Sequence, residues 1–217
     1  MIPFPNKKYA TIYADPPWIE SGGGKIKRGA DRHYNLMKTK DIMALPVQDI
    51  CEENAHLYLW VTNNFLQAGL DVMKAWGFTY KTKITWVKAE EISPKCFKLE
   101  KPGLGQYFRG LDEVCLFGVK GMIPYKTDES GHRLQSKTVV IAPRGRHSEK
   151  PEEMRRQIEI VSPGPYIELF ARKSTLGWDI WGDQAPEIND LEYSAFNTEI
   201  KDNIINTNKI EEYNLWN

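Results

Sequence analysis

Six short runs of apolar residues, separated by polar segments, stand out in the hydrophobic pattern of the chain. Most are continuous, which is typical of strands that are buried on both faces. One run alternates instead, with Lys81 and Lys83 set between Tyr80, Thr82 and Ile84. The runs predict β-strands at residues 9–14, 57–62, 79–87, 113–119, 138–142 and 166–171.

Helical patterns lie between these strands, at residues 39–45, 65–76 and 148–161. In the last of them Met154, Ile158 and Val161 share one face, and a Ser-Pro-Gly sequence ends the helix. Strands that alternate with helices favour an α/β fold with a mostly parallel central sheet and helices on both faces. In such sheets ligands bind beyond the carboxyl ends of the strands.

Three segments do not fit this alternation. Residues 21–32 are glycine-rich and basic, which predicts a loop, and residues 88–108 contain prolines and glycines without any hydrophobic period. Residues 197–217 are rich in Asn, Ile and Glu. We therefore expect one domain over residues 1–189, followed by an acidic, Asn-rich tail or peripheral helix over residues 190–217.

The composition is that of a soluble globular protein, with 41% hydrophobic and 27% charged residues among 217. No run approaches the roughly 18 apolar residues that span a membrane, and the N-terminus lacks the apolar core of a signal peptide. We expect a cytoplasmic protein. The three cysteines and four histidines are scattered without metal-ligand spacing, so we expect no metal site.

The formal net charge is zero, but the charges are unevenly distributed. From residue 187 onward seven acidic residues face only Lys201 and Lys209, so this segment carries a charge of −5 and the rest of the chain carries +5. The total charge therefore neither indicates nor excludes a nucleic-acid partner, and only local clusters of basic residues bear on this question.

The sequence Asp15-Pro16-Pro17-Trp18 directly follows the first predicted strand. Both prolines have a fixed φ angle and no N–H group, so this turn is rigid and rich in hydrogen-bond acceptors. Acceptors beside an aromatic ring suit an amino group on a planar base. A purely structural turn is the alternative interpretation, because Asp-Pro and Pro-Pro are common in turns.

Several stretches, in order, resemble the DPPW-type adenine-N6 methyltransferases, and a bacterial or phage member in particular. The resemblance implies a Rossmann-like methyltransferase fold and the use of S-adenosylmethionine. Besides DPPW, the similar stretches are HYNLM (33–37), LYLWVT (57–62), WVK (86–88), SEKPEE (148–153), ELFAR (168–172), and Trp178 with GDQ (182–184).

The resemblance also assigns roles to single residues. Asp15 and Pro16 would accept hydrogen bonds from the adenine N6 amino group, while Pro17 and Trp18 would shape the pocket and stack on the base. Tyr34, with Asn35 beside it, would line the base site. The cofactor-binding residues would be Asp15, Lys150, Phe170, Arg172, Ser174, Asp183 and Gln184. Asp183 replaces the Asn that is commoner in the family, and Ser174 stands where some members have His.

The implied reaction is a direct SN2 methyl transfer to adenine in DNA, with the base flipped out or single-stranded. The alternatives are the same reaction on RNA, or a nucleic-acid-binding subunit without turnover. The basic loop offers Lys25, Lys27 and Arg28 for phosphate contacts. A homodimer or a heteromeric partner is compatible with the resemblance.

Overall fold

Eight β-strands and three α-helices form the computed structural model, which describes residues 3–19, 36–94, 96–103, 107–122, 126–146 and 149–186. Within these ranges no helix has the length and apolar character needed to cross a membrane. The elements in chain order are β1 (Tyr9–Ala14), α1 (Thr39–Met43), β2 (Cys51–Val61), α2 (Leu66–Ala75), β3 (Thr79–Ser93), β4 (Cys96–Leu99), β5 (Asp112–Lys120), β6 (Val139–Ala142), α3 (Glu152–Val161), β7 (Tyr166–Leu169) and β8 (Trp178–Trp181).

The strands form a mixed sheet in the order β4-β3-β5-β2-β1-β7-β8, with β6 pairing to β3. Pairing is parallel among β2, β1, β7 and β8, and between β3 and β6. It is antiparallel in the longest ladders, β2 with β5 and β5 with β3, and also between β3 and β4. The prediction of a Rossmann-like, mostly parallel sheet is therefore wrong in the direction of the strands, because three pairs, including the two longest ladders, are antiparallel.

The connection between β3 and β5 explains this difference. Parallel neighbours need a crossover, usually through a helix, whereas antiparallel neighbours need none. Between β3 and β5 the chain forms β4, which pairs back onto the end of β3, and no helix lies in the residues described there. Continuous apolar runs occur in any strand that is buried on both faces, so the pattern alone did not reveal direction.

Several boundaries also differ from the predicted ones. Residues 88–108, expected as an irregular loop, contain the end of β3 and the whole of β4. The short strand β8 was not predicted, and α3 begins at Glu152 rather than at residue 148. The predicted tail, residues 190–217, lies outside the described residues.

The helices cover both faces of the sheet, as the sequence predicted. Because successive strand residues point to opposite faces, each central strand contributes to two core layers. One layer joins the sheet to α1 and α2, and the other joins it to α3. The first includes Ile12, Leu57, Leu59, Ile42, Val72 and Trp76; the second includes Tyr13, Tyr58, Trp60, Met154 and Ile158.

Three buried polar side chains form a hydrogen-bonded group between β2 and the end of α3. His56 Nδ1 lies 2.7 Å from Ser162 Oγ, and the Tyr58 hydroxyl lies 2.8 Å from the same oxygen. Burial lowers the pKa of His56 to about 4. The folded protein therefore holds this imidazole neutral at pH values where it would be charged in the unfolded chain.

We expect the free energy of unfolding to decrease as the pH is lowered from 6.5, the ordinary pKa of histidine, to about 4, the pKa of folded His56. In this window the unfolded state binds a proton that folded His56 does not, at up to about 1.4 kcal/mol per pH unit. Urea denaturation at several pH values should show this slope in the wild type and in the exposed-site control His132→Gln. If the free energy of unfolding of His56→Gln depended on pH as steeply as that of the wild type, His56 would not be the source of this dependence.

Candidate active site

The carboxyl ends of four parallel strands meet at one edge of the sheet. Ala14 at the end of β1 pairs with Leu59 of β2 and Leu169 of β7, and Leu169 pairs with Trp181 of β8. The structure thereby brings together at this edge the three candidate stretches that follow β1, β7 and β8. They are residues 15–18, 170–174 and 183–184.

The turn after β1 is held by backbone hydrogen bonds. The Trp18 N–H donates to the Pro16 carbonyl at 2.9 Å, and the Met37 N–H donates to the Pro17 carbonyl at 2.8 Å. The Ile19 N–H donates to the Met37 carbonyl at 3.2 Å. These bonds fix the path of the turn and leave the side chain of Asp15 at the edge of the sheet.

Trp18 does not offer an open face for stacking. Its side chain is only 6% exposed and stacks on Phe65, with ring centroids 5.4 Å apart. Its indole N–H donates to the Trp60 carbonyl at 3.1 Å. These contacts fit its expected part in shaping the turn, while its stacking on a base stays a prediction.

Lys150 lies between two carboxylates at the same edge. Its Nζ donates to Asp15 Oδ2 at 2.8 Å, lies 3.3 Å from Glu113 Oε2, and stands 5.3 Å from the ring centroid of Trp60. Burial by itself lowers the pKa of Lys150, but the two carboxylates outweigh it, so the pKa lies above its ordinary value. The ammonium thus stays charged and fixes the orientation of Asp15.

Lys88 extends this group of charges. Its Nζ donates to Glu113 Oε1 at 2.6 Å and lies 5.0 Å from the Trp86 ring centroid. Although burial raises the pKa of Glu113, Lys150 and Lys88 outweigh it, and the pKa lies below its ordinary value. We call the four side chains Asp15, Lys150, Glu113 and Lys88 the edge network.

The ends of β7 and β8 are fitted closely together. Phe170 has a φ of 64°, a strained conformation for a bulky residue, and its ring packs edge-on against Trp181 at 5.6 Å. A Cβ on Gly182 would lie 2.8 Å from the Cα of Phe170, so only glycine fits there. The Ala171 N–H donates to the Trp181 carbonyl at 3.1 Å, so the chain is joined where it leaves the two strands. Arg172 and Ser174 follow β7 beyond this point, and Asp183 and Gln184 follow β8.

Beside this edge a second group of charges joins α3 to β7. The guanidinium of Arg155 is buried and lies 2.6 Å from Glu168 and 2.8 Å from Glu152. Lys173 pairs with Glu149 at 3.1 Å and also with Glu152. These pairs hold the start of α3, just after Lys150, in place against β7.

Residues 9–184 match the MT-A70 family pattern. The chain belongs to the MT-A70 family. It is 32% identical to the type II methyltransferase M.MunI of Mycoplasma sp., over 84% of this chain and 80% of that protein. It is 29% identical to the N(6)-adenosine-methyltransferase subunit METTL3 of Danio rerio and 28% identical to the catalytic subunit METTL3 of Homo sapiens, in each case over 85% of this chain. These alignments cover 29% and 30% of the two METTL3 proteins, so the chain spans less than a third of their length.

The MT-A70 match confirms the resemblance that the motifs indicated, but two residues of the edge network were not predicted. Glu113 begins a predicted strand, and in a parallel strand it would lie at the opposite edge of the sheet. Antiparallel β5 reverses this and pairs Glu113 with Trp86, next to Lys88. In the sequence, the one indication that Lys88 belongs to the site was the WVK stretch of the resemblance, which contains it.

Five predicted substrate residues of this MT-A70 chain, Lys25, Lys27, Arg28, Tyr34 and Asn35, lie outside the described residues. The flanking residues are described, and the hydrogen bond between Ile19 and Met37 brings them together beside the turn. Among the residues that the structure describes, no group of three His, Cys, Asp or Glu side chains is placed to hold a metal ion.

Replacing Lys150 by Met should lower the free energy of unfolding by about 3 kcal/mol, because two partly buried carboxylates would lose the cation between them. Equilibrium urea denaturation at pH 7 measures this difference. Lys81→Met on the exposed part of β3 is the matched control and should change stability by less than about 0.5 kcal/mol. A loss from Lys150→Met no larger than that of the control would contradict the described role of the ammonium.

Proposed function

We propose that this chain transfers a methyl group from S-adenosylmethionine to the N6 amino group of adenine in DNA. The observation that carries the proposal is the carboxylate of Asp15, which Lys150 holds at the edge where parallel strands end. Ligands of open α/β sheets bind at this edge. The MT-A70 match and the names of the METTL3 relatives supply the reaction class.

Asp15 is the acceptor for one N–H of the amino group. Lys150 occupies Oδ2, and we assign Oδ1 to the substrate. The Pro16 carbonyl accepts from Trp18 and keeps a second lone pair for the other N–H. Two fixed acceptors orient the N6 lone pair, so most of the rate enhancement comes from positioning and electrostatics.

S-adenosylmethionine supplies an electrophilic methyl group on its sulfonium sulfur. We assign its nucleoside part to Phe170, Arg172, Ser174, Asp183 and Gln184. We base this assignment on the side chains present: Asp183 and Gln184 are exposed polar residues beside the close contact of Phe170 with Gly182. A carboxylate and an amide are suitable partners for ribose hydroxyls and an adenine edge.

DNA is the proposed substrate because the chain matches M.MunI over 80% of that type II methyltransferase. Lys25, Lys27 and Arg28 would contact phosphates, and Tyr34 with Asn35 would contact the base. The chain enters and leaves this segment beside the turn, at Ile19 and Met37. Since N6 is paired within a duplex, the adenine must be flipped out or single-stranded.

Two alternatives have specific support. The METTL3 relatives are named N(6)-adenosine-methyltransferases, which favours the same reaction on RNA. Their names also describe them as subunits, which favours a chain that requires a partner, or a nucleic-acid-binding subunit without turnover. A homodimer or a heteromeric assembly is included in this proposal.

Methyl transfer from labelled S-adenosylmethionine to DNA and RNA, each single- and double-stranded, tests the proposal. Digested products are analysed for N6-methyladenine. We expect transfer to DNA that falls at least about 100-fold in Asp15→Ala, because a fixed acceptor at the reacting group is lost. Asp71→Ala, an exposed carboxylate on α2, is the control and should stay within about twofold.

Transfer to RNA alone would replace DNA by RNA in the proposal. A protein that binds S-adenosylmethionine but modifies none of the four substrates would favour the non-catalytic subunit. Full activity in Asp15→Ala would contradict the assigned role of the turn.

A further inference from the structure

Two neighbouring aromatic side chains project almost entirely into solvent before β5. Tyr107 is 91% exposed and Phe108 is 92% exposed, the highest values among the large hydrophobic residues that the structure describes. Such side chains are rarely left in water without a binding role when they stand together. We call residues 107–110 the tip segment.

Hydrogen bonds fix the base of the tip segment, by which we mean Gly103, Gly110 and Leu111. The Gly103 N–H donates to the Gly110 carbonyl at 2.8 Å, and Arg109 Nε donates to the Gly103 carbonyl at 3.0 Å. These two bonds close the chain on both sides of the exposed rings and fix the guanidinium beside them.

The same base is bonded to the edge network. The backbone N–H of Lys88 donates to the Leu111 carbonyl at 2.9 Å, and its carbonyl accepts from the Glu100 N–H at 3.0 Å. The side chain of Lys88 meanwhile binds Glu113 at 2.6 Å. The tip segment therefore ends at Gly110, directly before Leu111, and Leu111 is hydrogen-bonded to Lys88 of the edge network. Phe108 is three residues from Leu111, so its Cα is within about 11 Å of that anchor.

The charges around the tip segment suit a polyanion. Arg144 Nε lies 3.1 Å from Glu100, which neutralises that carboxylate, and an Arg144 guanidinium N–H donates to the Lys101 carbonyl at 3.3 Å. Lys101 and Arg109 add two positive charges against the one negative charge of Asp112, the residue after Leu111. Arg144 also ties the tip segment's base to the chain that leads to Lys150.

We propose that Tyr107 and Phe108 insert into the base stack of duplex DNA next to the target adenine and occupy the space that the flipped base leaves. This inference rests on the proposed function. Aromatic rings stack on any base, and wedges of this kind offset the cost of unstacking. The buried Trp18 cannot act as this wedge, because its ring is packed on Phe65.

The test compares methyl transfer to two DNA duplexes of the same sequence. One is fully paired, and the other has an abasic site opposite the target adenine, so that the adenine is already unpaired. The Tyr107→Ala/Phe108→Ala double variant should lose at least about tenfold in kcat/KM on the paired duplex and less than about threefold on the other. Tyr80→Ala, 43% exposed near the start of β3, is the aromatic control and should lose less than twofold on both.

A second readout is the fluorescence of 2-aminopurine placed at the target position of the paired duplex. It should rise when the wild type binds and rise much less with the double variant. Equal losses on both duplexes, or a loss on neither, would overturn the wedge. So would a change in molar mass by light scattering in the double variant, because the rings would then serve a protein interface.

The outcomes for the wild type separate this inference from the proposed function. A wild type that modifies single strands and the abasic duplex, but not the paired duplex, supports the proposed function and overturns the wedge. A wild type that modifies no substrate overturns both.

Discussion

A buried ammonium is the constraint on which the candidate site depends. The Lys150 side chain is only 11% exposed and stays charged because Asp15 and Glu113 flank it. Removing one partner from such a group leaves a charge without compensation, which is strongly unfavourable. The end of β1, the start of β5 and the residues before α3 must therefore stay within ion-pair distance of each other. Lys88 adds β3 to this set through Glu113.

The mixed direction of the sheet is what makes this grouping possible. Parallel β1, β2, β7 and β8 end at one edge of the sheet, and antiparallel β5 begins there. Glu113 near the start of β5 therefore lies at the same edge as Asp15. The backbone of Lys88 then anchors the tip segment to this edge. The proposed acceptors for the base, the proposed cofactor residues and the exposed aromatic rings thus lie at one edge of the sheet.

The sequence allowed the local features to be predicted, and the direction of the strands was the step it did not supply. Asp15 follows an apolar strand, as predicted, whereas Lys150 was expected inside a helix from residue 148 and lies before α3, which begins at Glu152. Glu113 was missed because its edge depends on whether β5 runs parallel or antiparallel, and apolar runs look the same in both cases. The burial of Trp18 was not visible in the sequence because it depends on Phe65 and Trp60, which are distant in sequence.

Whether the edge network acts as one unit on Asp15 is tested most directly by a double-mutant cycle. The cycle compares the rate of methyl transfer to adenine in Lys150→Met, Glu113→Gln and the double variant. Lys150→Met leaves Asp15 without its cation and leaves Glu113 paired only with Lys88, and Glu113→Gln removes one of the two carboxylates. We predict that the double variant is at least about tenfold faster than the product of the two single losses implies. Losses that multiply to within about twofold would contradict an edge network that acts as one unit on Asp15.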